Sequence, residues 1–141
     1  PVLDSAGASY AEAGTGSSSG RTLVLYADEK AAGTALAAIE DGVRACPVQR
    51  QGSGAPLVHE VVDAELPADE SLVFTQQARM DAQLLADLTV FQVARVRNAL
   101  YVATSSTSAG GPQVVEAEVR RLAEQSAPVL SDLCVVASGR C

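Results

Sequence analysis

Between Arg21 and Pro47 the hydrophobic pattern changes period once, and no other feature limits so strongly how this chain folds. In RTLVLYA the residues Leu23, Val24, Leu25 and Tyr26 form a continuous apolar run, the signature of a central strand buried on both faces. From Asp28 the spacing turns helical: Ala32, Leu36, Ile39, Val43 and Cys46 step by four, three, four and three residues and share one stripe. Asp28 is placed to cap this helix and Glu29 to meet the positive end of its dipole. Pro47 ends it, because a residue preceding proline is pushed out of the helical region. Gly33 and Gly42 each cost about 1 kcal/mol of helix propensity. They are expected to let the helix sit close on a sheet.

Strands dominate the middle of the chain. LVHEVVDAEL alternates, with Val58, Val62, Ala64 and Leu66 on one face and Leu57, His59, Val61 and Asp63 on the other. Leu72 to Ala78 predicts a further strand, and Leu88 to Val96 pairs through a tight turn at Arg97-Asn98 with ALYVATS, since Asn tolerates positive φ. Pro112 suits the first turn of a final helix whose buried stripe runs through Val115, Val119, Leu122, Ser126, Val129 or Leu130, and Leu133. Pro128 lies inside that pattern, so a kink or a break is expected there. Residues 1–20 are rich in Gly, Ser and Ala without apolar periodicity and read as a flexible segment ahead of a single domain over residues 21–141.

Composition excludes several functions. With 17 acidic against 10 basic residues and a formal net charge of −7, the chain has no basic patch to neutralise phosphates, so nucleic acid is not an expected partner. No apolar run reaches the roughly 18 residues that a membrane-spanning helix needs. The chain starts at Pro1, which suggests a removed leader or an upstream anchor.

Few residues suggest chemistry. His59 is the sole histidine, and it shares a strand face with Asp63; a hydrolase would need this pair beside a loop serine. No metal-ligand spacing, phosphate loop or nucleophile elbow occurs, so neither metal nor cofactor is expected and the chain reads as non-catalytic. The first candidates for contact with an anionic ligand are Arg95 and Arg97, which flank the tight turn, and Tyr101 beyond it.

Three cysteines, Cys46, Cys134 and Cys141, carry no C-x-x-C motif. A bridge from Cys46 to Cys134 would stabilise by about 4–5 kcal/mol in an oxidising compartment. It requires the two helix ends to meet, which an even number of strand crossings on one face would forbid. The local alternative joins Cys134 to Cys141 through a turn at Ser138-Gly139.

The run TLVLYADEKAAGTALAAIEDGVRACP, the hairpin VARVRNALYVATSS and the terminal VLSDLC resemble the extracytoplasmic sensor domains of actinobacterial serine/threonine kinases of the PknH type and related secreted lipoproteins. The resemblance covers roughly residues 21–134 and implies an α+β domain stapled by disulfides, with Cys46 and Cys134 as counterparts of family half-cystines. It implies a cleft for an unidentified small molecule or cell-envelope component, and an extracytoplasmic protein, secreted or lipid-anchored. The expected fold is therefore α+β, an antiparallel sheet of about five strands carrying two main helices in the order β-α-β-β-β-β-α. A protein–protein scaffold, which would expose an apolar patch in place of a pocket, is the remaining alternative.

Overall fold

Strand alternation decides where the two helices lie. The computed structural model of the chain describes residues 1–12, 16–50, 52, 54–81 and 83–138, the side chains of residue 12 and of residues 134–138 excepted. In chain order the elements are β1 (Val2–Glu12), β2 (Ser17–Tyr26), α1 (Glu29–Ala45), β3 (Val48–Gln49), β4 (Leu57–Val62), β5 (Glu70–Met80), β6 (Gln83–Leu84), β7 (Leu88–Val96), β8 (Ala99–Thr107) and α2 (Pro112–Ser138). All strand pairs are antiparallel, in the spatial order β1-β2-β8-β7-β5-β4-β3 with β6 appended to β5.

Successive residues of a strand point to opposite sides of the sheet. Leu72, Phe74, Val93 and Leu100 pack with Leu36 of α1, whereas Val73, Ala94 and Tyr101 join Val119, Leu122, Leu130 and Leu133 of α2. The sheet is thus the middle layer of three, with α1 on one face and α2 on the other. This accounts for the unbroken apolar runs in its central strands.

The sheet has eight strands, not about five. The additional ones had no hydrophobic period to announce them. β1 is exposed along its described side chains and is held by a backbone ladder to β2 from Asp4↔Leu25 to Glu12↔Ser17, so small residues of weak pattern still form a long hairpin. β3 and β6 are two-residue strands fixed by their partners β4 and β5.

The helices follow their sequence signals closely. Asp28 Oδ1 accepts from the Ala31 N–H at 2.7 Å, the expected cap. Ala32 and Leu36 are buried, but Ile39 and Val43 are half-buried and Cys46 is exposed, so the C-terminal end of α1 lifts off the sheet. The two glycines do not serve close packing: a Cβ at Gly33 would stand 3.9 Å from the Arg95 side chain, and one at Gly42 would meet nothing within 4 Å. α2 runs without a break past Pro128, whose ring lies on the exposed side. Its buried stripe passes through Val119, Leu122, Ser126, Leu130 and Leu133.

The disulfide staple is corrected by the same geometry. Cys46 is an exposed free thiol at the end of α1, and α2 lies across the sheet from it, so no bridge joins Cys46 to Cys134. The local pair of Cys134 and Cys141 lies outside the described residues.

Candidate functional site

The turn between β7 and β8 comes where the sequence places it, but the positive φ falls on Arg97, at 55°, and not on Asn98. A carboxylate makes that conformation tolerable: Asp69 Oδ2 accepts from the Arg97 N–H at 2.7 Å. Asn98 donates its side-chain amide to the Tyr26 carbonyl at 2.8 Å, tying the turn to β2.

Arg95 and Arg97 are occupied by acids at this end of the molecule. Arg95 reaches Glu70 at 3.1 Å and Asp69 at 3.3 Å, and Arg97 reaches Glu29 of α1 at 3.4 Å. The hydrogen bond with Glu70, ahead of the burial that opposes it, holds the Arg95 guanidinium above its ordinary range. Through these ion pairs Arg97 fastens α1 to the β7–β8 turn, while Arg95 ties β7 to the start of β5. Tyr101 points to the α2 face, so the structure does not bring these three candidates together.

His59 sits over a cleft of about 600 Å³ that opens where α1 lifts away, lined by Ile39, Val43, Cys46, Arg50 and Phe74 among others. Its Nδ1 lies 3.0 Å from the Cys46 carbonyl, and since a carbonyl can only accept, Nδ1 carries the proton. The ring meets Phe74 edge-on at 6.3 Å between centroids. With Nδ1 bound to backbone, Asp63 cannot orient the ring through that atom, and no serine among the described residues lines this cleft. Among the described residues no group of three His, Cys, Asp or Glu side chains converges as a metal site.

Tyr101 marks the other concave region. It pairs with Leu23 across the β2–β8 ladder, and Arg21 lies two residues along β2 on the same face, a diagonal neighbour. α2 covers β7 and β8 but stops short of β1 and β2, leaving an open groove of about 310 Å³ beside it. Ala6 and Ala8 of β1 form the outer wall, Leu23 and Tyr101 the floor and Val129 of α2 the inner wall.

Two polar atoms in this groove are unusual. The Tyr101 hydroxyl is buried without a hydrogen-bond partner, in a residue only 3% exposed. The Arg21 Nε is likewise buried and unpartnered, while its Nη2 donates to Gln125 Oε1 of α2 at 3.1 Å. Leaving such a group unpaired costs about 1–3 kcal/mol, so buried orphans are uncommon. The Nε of Arg79 is a third, but that residue stands at the β5–β6 turn, away from the groove. Sequence reasoning named Tyr101 and missed Arg21. The available signal was an arginine two positions before Leu23 in a strand predicted to be buried on both faces.

Comparison with known families finds no match, and no curated protein matches the chain. Among solved structures it is similar to the extracellular domain of PknH from Mycobacterium tuberculosis, with a TM-score of 0.60 and 7% sequence identity over 88% of this chain. The chain spans 61% of that domain's length. The likeness is therefore one of fold, and it carries neither a lipid anchor nor a source organism over to this chain. No helix among the described residues is long and apolar enough to cross a membrane.

Proposed function

We propose that this chain is a non-catalytic, extracytoplasmic ligand-binding domain of the sensor type, and that its ligand site is the groove between α2 and the β1–β2 hairpin. The observation that carries this reading is that two residues lining one open, largely apolar groove, Tyr101 and Arg21, each hold a buried polar atom without a partner, Oη and Nε. Sites for small molecules are typically of this kind, apolar concavities with a few convergent polar groups. The shared fold with an extracellular domain supports the compartment. Tyr101 is the primary contact in this reading, while Arg97 holds α1 to the β7–β8 turn through Glu29 and Arg95 holds β7 to the start of β5 through Asp69 and Glu70.

A test is to fill the groove from its outer wall. Ala8→Phe places a ring against Tyr101 from an exposed strand, so it should abolish binding of any groove ligand while leaving the unfolding midpoint within about 0.5 kcal/mol of the parent. Binding that survives this substitution would refute the location.

One observation favours the scaffold reading as a second possibility. β1 is an eleven-residue edge strand paired on one side only, with Leu3 at 66% and Tyr10 at 67% exposure. Long exposed edges of this kind accept added strands. A partner docked there would protect the outward-facing amides of β1 from hydrogen exchange; unchanged exchange in its presence would rule this out.

A further inference from the structure

Resting on the groove as the binding site, we infer that its ligand is a carboxylate carried on a short apolar body, held at its head by Arg21 and Tyr101. Four observations lead there.

First, the unpaired atoms want an acceptor. An arginine Nε–H can only donate, and the hydroxyl of Tyr101, its diagonal neighbour in the same groove lining, can donate as well, so a group that satisfies both presents lone pairs. Second, charge is unbalanced at this point. Arg44, Arg95, Arg97, Arg120 and Arg121 pair with carboxylates, whereas Arg21, like Arg50 and Arg79, has no acidic partner among the described residues, in a chain where acids outnumber bases by 17 to 10. Its guanidinium meets instead the neutral amide of Gln125. An anion completes it.

Third, the anion is singly charged. One guanidinium, already giving one N–H to Gln125, faces the groove with a single hydroxyl, whereas phosphate dianions are met by several cations or a row of backbone amides. A carboxylate matches both the charge and the two donors. Fourth, the remaining walls are mainly alkyl, from Ala6, Ala8, Leu23 and Val129, with Thr22 the one further polar residue among those that line it. At about 310 Å³ the groove is at the small end of the range for ligand sites and suits a body the size of a medium-chain fatty acid.

The test is calorimetric titration of the full chain with octanoate, octan-1-ol and acetate, repeated on Tyr101→Phe, Arg21→Gln and Ala8→Phe. Octanoate is expected to bind, octanol at least about ten-fold more weakly because it lacks the charge that Arg21 meets, and acetate not measurably. Tyr101→Phe keeps the ring and removes only the hydroxyl, and should weaken octanoate by about ten-fold while leaving octanol unchanged. Arg21→Gln should erase the preference for octanoate over octanol. If octanol binds as tightly as octanoate and Ala8→Phe abolishes both, the groove stands and the carboxylate assignment is wrong. If octanoate does not bind, or binds equally well to Ala8→Phe, the groove itself is not the site.

Discussion

Two stretches of the same sheet face treat buried polar groups in opposite ways. Under the helix, Gln92 is fully buried and fully employed: its Nε2 donates to the Val119 carbonyl at 3.2 Å and its Oε1 accepts from Ser126 Oγ at 3.1 Å. Ser105 is tied into the pair of Glu118 and Arg121, with Arg121 Nη2 reaching its hydroxyl at 2.6 Å. Where the α2 core meets the groove, Tyr101 Oη and Arg21 Nε are also buried and have no hydrogen-bond partner. A chain that satisfies polar groups in its core and leaves two together in a groove distinguishes packing from recognition. In the first region a polar group holds α2 in place, and in the second the proposed function gives it a ligand to meet.

The contrast is exposed most strongly by substitutions under the helix. Leu122→Ala removes a side chain with no solvent exposure from the centre of the α2 layer and should cost about 3 kcal/mol, read as a lower urea midpoint. Gln92→Leu keeps the volume but strands Ser126, and should cost about 1–2 kcal/mol. A neutral result there would mean that the core polar group is not structural, and the comparison would lose its first half.

Glu118 sharpens the comparison through pH. Its hydrogen bond with Arg121, helped by Ser105 and opposed by partial burial, holds the carboxyl below its ordinary range. A folded pKa below the unfolded value gives stability that is full above the unfolded pKa and lost as pH falls through the folded one. Acid unfolding should therefore draw on this pair below about pH 4.5, and Glu118→Gln should flatten that limb. At neutral pH the substitution should cost about 1 kcal/mol, discounted because Arg121 is half exposed.

The smallest effect has the opposite sign. Tyr101→Phe deletes a buried hydroxyl that bonds to nothing, so stability without ligand should be unchanged or rise by up to about 1 kcal/mol. A loss comparable to that of Gln92→Leu would place Tyr101 in the structural class and remove the reason to see a site there.

How much of this was legible in sequence depends on the kind of signal each element gives. α1 was readable end to end because its cap, stripe and terminating proline agree, and the Arg97-Asn98 turn because hairpin chemistry is local. The strand pair β1 and β2 was half hidden, since Ser, Gly and Ala carry no hydrophobic period and a long exposed hairpin is stabilised by its backbone ladder. The layering was recoverable in principle: Leu72, Val73 and Phe74 are all buried, and a run of that kind demands cover on both faces. That demand was not carried through to a helix on each face, the arrangement that separates Cys46 from α2. Tyr101 could be named as a candidate, but its partner in the groove depends on which residues the β2–β8 register brings side by side, and that register is not written in either strand alone.

Amide chemical-shift mapping with octanoate on uniformly labelled protein tests the central claim most directly, because both clefts are observed in one spectrum. Shifts are expected to concentrate at Ala6, Ala8, Arg21 and Leu23, and to diminish in Tyr101→Phe. Shifts centred instead on Val43, Cys46 and His59 in the cleft beside α1, or none at either place, would contradict the claim.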